Sequence, residues 1–149
     1  LTNANSMVEG GKLFKELLGT NIKKVDSVND WKEAIKISCI PLINEGCIKE
    51  GYMDDIINNV EKNGPYIILD EGFALPHAER GENVLNTGLS YLYVKNGIDL
   101  MGNTVYAFLT LSAKDDTEHI KALQELSIAF DNEKNMERIL NGDIESIID

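Results

Sequence analysis

Tyr66-Ile67-Ile68-Leu69-Asp70-Glu71-Gly72-Phe73-Ala74-Leu75-Pro76-His77 is the stretch on which the fold turns. Its apolar β-rich run, Tyr66 to Leu69, follows a long helical period, so the chain passes from helix to strand here, and a glycine-containing segment then leads to His77. Working back from it, Tyr52, Met53, Ile56, Ile57 and Val60 recur at helical spacing, and Asn63-Gly64-Pro65 stops that helix. Before that, Asp30 with Glu33 three residues on makes a capping-box-like start for a helix that carries Trp31, Ile35, Cys39 and Leu42 on one face. Pro41 predicts a kink or a break in it before Gly46. Ile22 to Val25 reads as a short edge strand after an amphipathic stretch, Leu13-Phe14 and Leu17-Leu18, that ends at Gly19.

Working forward, Gly88 to Val94 and Thr104 to Leu111 read as strands of a hairpin, joined by a loop with Asn96-Gly97 and Gly102-Asn103 as turn signals. The helical period returns with Ile120, Leu123, Leu126 and Phe130, and resumes after a polar break with Met136, Ile139 and Leu140. Helices and strands interleave. The expected fold class is therefore α/β: a single domain whose mixed sheet of about five strands has helices on both faces.

The composition narrows the function. With 149 residues and 43% hydrophobic content, the chain suits one core without metal or disulfide staples. Its net charge of −11 argues against nucleic acid and anionic lipid as partners, and no apolar run approaches the ~18 residues of a membrane span. Cys39 and Cys47 fit no zinc spacing and read as free thiols in a reducing, cytoplasmic compartment. Residues 1–6, ahead of Met7, lack periodicity and are expected to be a disordered or foreign leader. From Leu111 onward there are 4 basic and 10 acidic residues, read as solvated faces of the terminal helices rather than as a binding tail.

Two histidines carry the chemistry. Pro76 fixes its own φ and pushes Leu75 to an extended conformation, while Gly72 allows close backbone approach, so His77 is presented from a stiffened loop. A neutral imidazole, with an ordinary pKa of about 6.5, can attack phosphorus without a separate base. The dianionic group it then carries needs donors. His119 is one, and the helix N-terminus that follows Lys114 to Thr117, capped by Thr117 or Asp116, is another. Asp115, Asp116 and Glu118 read as capping and dipole-complementing residues. Phe73 could sit either in the core or on the rim of a contact patch around His77. A metal-dependent hydrolase built on His77, His119 and one of those carboxylates lacks any clustered ligand spacing.

These residues carry a resemblance. Gly72 to His77, preceded by Asn63-Gly64-Pro65-Tyr66 and followed by His119-x-x-x-Leu123-x-x-Leu126, resembles the enzyme IIA component of the bacterial phosphoenolpyruvate-dependent sugar phosphotransferase system, in its mannitol/fructose superfamily. Trp31-x-Glu33-Ala34-Ile35 and Gly46-x-Ile48-x-x-x-Tyr52 extend the likeness, which runs from about Trp31 to Leu140; Gly64-Pro65-Tyr66 and Thr87-Gly88-Leu89-Ser90 look most like the ascorbate-type branch.

The resemblance implies that residues 7–149 form one IIA domain in which the phosphocarrier HPr phosphorylates His77. It implies that His119 supports the phosphoryl group and that a cysteine of a IIB component receives it, for sugar entering through a membrane IIC component. It implies no metal and no organic cofactor. Two departures stand out. Val60 precedes Glu61 where fructose and mannitol members often carry arginine, and Glu79 takes the place where ascorbate-type members often carry one, leaving Arg80 as a possible phosphate contact. The alternative role is regulatory, with phosphorylation of His77 controlling docking to another protein.

Overall fold

Residues 88–112 form the centre of the sheet in the computed structural model, which describes residues 14–148. The expectations for residues 1–6 and for Leu13 lie outside the described residues. Residues 14–18 are helical (α1). They are followed by β1 (Ile22–Val25), α2 (Trp31–Asn44), α3 (Gly51–Asn63), β2 (Ile68–Asp70), β3 (Phe73–Ala74), β4 (Gly88–Leu100), β5 (Asn103–Ser112), α4 (Asp116–Phe130), α5 (Glu133–Leu140) and α6 (Glu145–Ile148). The five strands lie in the order β1-β4-β5-β3-β2. β4 pairs antiparallel with β5, while β1 on β4 and β3 on β5 are parallel, so the sheet is mixed as its pattern predicts.

Alternation along the central strands separates two cores. Leu92, Val94 and Phe108 face Ile35, Cys39, Leu42, Ile56 and Val60 of α2 and α3. Leu89, Tyr91, Leu109 and Leu111 face Phe14 and Leu18 of α1, Ala122 and Leu126 of α4 and Ile139 of α5. Side chains such as Ile35, Leu42 and Ile56 are wholly buried, each worth roughly 1.5–3 kcal/mol in area removed from water. Helices thus cover both faces.

Several local expectations are corrected. Of the kink or break expected at Pro41, the break does not occur: α2 runs on to Asn44, because a proline this near the end forfeits one hydrogen bond while Leu42 stays seated in the core. Tyr66 and Ile67 form a turn, so β2 starts at Ile68. Asn96-Gly97 is not the hairpin turn. β4 continues through it with a shift of register between Tyr93 and Ile98, and Gly97 takes the φ of +71° that the irregularity needs; the chain reverses at Met101-Gly102. Ile120, assigned to the buried stripe of α4, is 56% exposed; of the two places left open for Phe73 it takes the core, at 1% exposure.

Candidate phosphoryl-transfer site

The loop after β3 is tied down on both sides before it reaches His77. The Leu75 N–H donates to the Ile67 carbonyl at 2.7 Å and the Leu111 N–H donates to the Pro76 carbonyl at 3.0 Å. The Tyr66 hydroxyl donates to the His77 carbonyl. Beneath, the buried Tyr52 hydroxyl accepts the Ala78 N–H at 3.0 Å and donates to the Leu111 carbonyl at 2.7 Å, joining the loop to the end of β5. Pro76 is itself buried. Gly72, expected to shape this loop, lies at the other end of β3, in the β2–β3 turn, where its φ is +82° and a Cβ would press on Leu140 and Tyr106.

The imidazole is oriented by its own backbone. Nδ1 lies 2.7 Å from the Leu75 carbonyl oxygen, which can only accept, so Nδ1 carries the proton and Nε2 keeps its lone pair. Burial holds the His77 pKa below its usual value, and His119 pulls the same way against the opposing carbonyl bond. The ring is therefore neutral at pH 7. Tyr66 stands edge-on to it with centroids 5.3 Å apart.

His119 approaches from α4. Asp115, rather than Asp116 or Thr117, is the cap: its carboxylate accepts the Glu118 N–H at 2.8 Å, which starts the helix and sets His119 in its first turn. The two imidazoles lie 6.0 Å apart, centroid to centroid, across a cleft of about 530 Å³ lined also by Ala78, Glu79, Arg80, Ala113, Asp115 and Asp116. Arg80 is exposed and forks onto Asp116, Nε to Oδ1 and Nη2 to Oδ2, each at 3.0 Å. On its other side His77 borders a second cleft, of about 630 Å³, with Asp55, Asn59, Asn63 and Tyr66. Val60 is wholly buried in the core between the sheet and α2/α3 and lines neither cleft beside His77.

The structure thus brings His77, Pro76, His119 and Arg80 together and places Gly72 apart. It adds Tyr52 and Tyr66, which sequence reasoning placed in a core stripe and a strand. Among the described residues no group of three or more His, Cys, Asp or Glu is arranged to hold a metal, and no helix is long and apolar enough to cross a membrane.

Comparison with known proteins places the chain among relatives of one family. The mannitol-specific cryptic phosphotransferase enzyme IIA component of Escherichia coli (strain K12) is 35% identical over 128 residues, covering 85% of this chain and 87% of the relative. The ascorbate-specific PTS system EIIA component of Salmonella choleraesuis is 29% identical, covering 86% of each chain. The solution structure of the mannitol-specific cryptic enzyme IIA from Escherichia coli superposes with a TM-score of 0.83 at 33% identity, covering 90% of this chain and 96% of that one. The enzyme IIA solved in complex with phosphorylated enzyme IIB of the Escherichia coli mannitol system shares the fold, with a TM-score of 0.72 at 20% identity, covering 88% and 96%. Residues 17–149 match the family model for the phosphoenolpyruvate-dependent sugar phosphotransferase system, EIIA 2, and the chain belongs to that family.

Proposed function

We propose that this protein is a cytoplasmic phosphocarrier of sugar uptake: Nε2 of His77 takes a phosphoryl group from phospho-HPr and delivers it to a cysteine of a IIB component, upstream of a membrane IIC component. The observation that carries this is the Nδ1 bond to the Leu75 carbonyl, which leaves a neutral ring with a free Nε2 beside His119.

On acceptance, the Nε2–P bond forms as the bond from phosphorus to the donor breaks. The ring becomes cationic, and the Leu75 carbonyl stabilises its Nδ1–H while the phosphoryl stays transferable. On delivery the acceptor cysteine attacks as its thiolate: a S–P bond forms, the Nε2–P bond breaks, and its electron pair returns to the ring. His119 donates to the transferring oxygens, and the first turn of α4 adds its positive dipole end. No cofactor takes part. That a mannitol IIA of the same fold was solved with a phosphorylated IIB supports an acceptor of this kind.

Incubation with enzyme I, HPr and phosphoenolpyruvate should yield an acid-labile, alkali-stable phosphoprotein, and His77→Ala should abolish the label. Stoichiometric labelling of the folded variant would refute the assignment.

A further inference from the structure

We propose that Asp116 is a positioning residue for phosphoryl transfer: it holds the Arg80 guanidinium in the resting protein and yields it to the phosphoryl on His77, so the exchange of one anion for the other sets how tightly the phosphohistidine is held. This rests on the phosphocarrier reading of His77.

Geometry comes first. The guanidinium fork meets both carboxylate oxygens of Asp116 at 3.0 Å, and a phosphoryl group offers the same two-oxygen edge with more negative charge. Arg80 lies three residues beyond His77, and both members of the pair line the cleft that holds the two imidazoles. Reaching the phosphoryl is a matter of turning a long side chain within one cleft.

Charge comes second. Of the residues lining this cleft, Glu79, Asp115 and Asp116 carry negative charge and Arg80 is the one permanent cation. A dianionic phosphoryl entering among three carboxylates is repelled unless that cation turns to it. The side chains of the pair are 53% and 78% exposed, and an ion pair in water contributes little to stability, so releasing it costs little. Asp116 stands in the first turn of α4 and suits the helix dipole there, yet the cap Asp115 and Glu118 serve that dipole too, and it is Asp116 that hydrogen-bonds Arg80. The carboxylate of Asp116 is held below its ordinary range mainly by the hydrogen bond from Arg80, so it remains charged and able to compete throughout the neutral range.

The consequence is a carrier whose grip is tempered. Arg80 favours the phosphorylated state, Asp116 favours the resting state, and a group that must be passed on is not held too firmly.

The test measures the equilibrium ratio of phosphoprotein to phospho-HPr for the full chain mixed with enzyme I, HPr and phosphoenolpyruvate. Arg80→Gln should lower the ratio about tenfold, and Asp116→Asn should raise it several-fold, the scale of one exposed charge-assisted contact. Asp116→Glu should restore it. Arg80→Gln/Asp116→Asn should match Arg80→Gln alone, because Asp116 acts through Arg80. If Asp116→Asn shifts the ratio equally with and without Arg80, the carboxylate acts by direct repulsion and the proposal fails; it fails too if Asp116→Asn leaves the ratio unchanged. Should Asp116→Asn not fold, Asp116→Ser, which also removes the charge and leaves the cap Asp115 in place, carries the same expectations. Failure of the underlying reading looks different: no variant, nor the native chain, would be labelled at His77.

Discussion

The loop of residues 75–80 and the first turn of α4 each bring one histidine to the same cleft, and they hold it by different means. In the loop the backbone is bonded on both sides, by Ile67 and Leu111, by Tyr66 and by Tyr52 from below, and the ring is fixed through Nδ1. In α4 the helix itself is the support, begun by one cap bond to Asp115, and the charged side chains around His119 are largely exposed. A nucleophile must be aimed and dehydrated, whereas a stabilising donor can sit on a helix turn surrounded by exchangeable charges. The difference in construction matches the difference in proposed role.

The sharpest way to break this comparison is to remove each imidazole in turn. His77→Ala deletes the route, whereas His119→Ala removes one donor at a developing charge and should slow acceptance by about 10²–10³-fold while leaving the label on His77. Rapid-quench labelling separates the two. Transfer at the native rate in His119→Ala would reduce that residue to scaffolding.

A finer test compares the supports. Tyr52→Phe strands the Ala78 N–H and the Leu111 carbonyl, which should cost about 1–3 kcal/mol in denaturant unfolding. Asp115→Ala loses a helix cap worth about 0.5–2 kcal/mol. The stability losses overlap, but transfer should fall by up to ~10²-fold in Tyr52→Phe, because a nucleophile mis-aimed by about an ångström is a poor one, and by less in Asp115→Ala. Equal losses of transfer would mean that the loop needs no more exact support than the helix.

Much of this contrast is legible in residues close in sequence and little of it in residues far apart. The edge strand at Ile22, the α2 stripe and the stop at Gly64 all announce themselves through period and capping chemistry, and the resemblance brings out His77 and His119. β3 does not, since its two residues become a strand by pairing with Ala107 and Phe108, thirty-four residues away. Asn96-Gly97 misleads because a bulge and a tight turn make the same demand for positive φ. The periodicity of Tyr52 reports that its ring is buried and says nothing of where its hydroxyl ends. Arg80 and Asp116 meet across 36 residues, a distance over which no spacing rule operates.

The pH profile probes the dehydrated side of the comparison. Acceptance requires the neutral ring, and burial lowers the His77 pKa from 6.5, so the rate should hold from pH 7 down past 6.5 and fall only as pH drops through the lower folded value. The unfolded chain takes up that proton first, so the same residue should make the fold less stable as pH falls below about 6.5. In His119→Ala the midpoint of the residual rate should move up towards 6.5, since one lowering influence is gone. A midpoint above 6.5 in the native chain would contradict a desolvated nucleophile.

The smallest expected effect concerns the thiols, which bear on whether the cleft works alone. An internal relay would need a reactive thiolate near Nε2. Cys39 is wholly buried on α2 against the α2/α3 core, and burial pushes its pKa up to about 12, so it is protonated and shielded from any partner. Cys47 is also buried, its thiol raised by burial and by Glu45, and its sulfur lies 3.7 Å from the Thr87 carbonyl rather than in either cleft bordering His77. Cys39→Ala/Cys47→Ala should therefore cost on the order of 1 kcal/mol per site in unfolding free energy, the ordinary loss for trimming a packed side chain. It should still accept phosphate at His77 and pass it to an isolated IIB domain at the native rate. A folded double variant that takes up the label and cannot hand it on would put a cysteine between His77 and the acceptor.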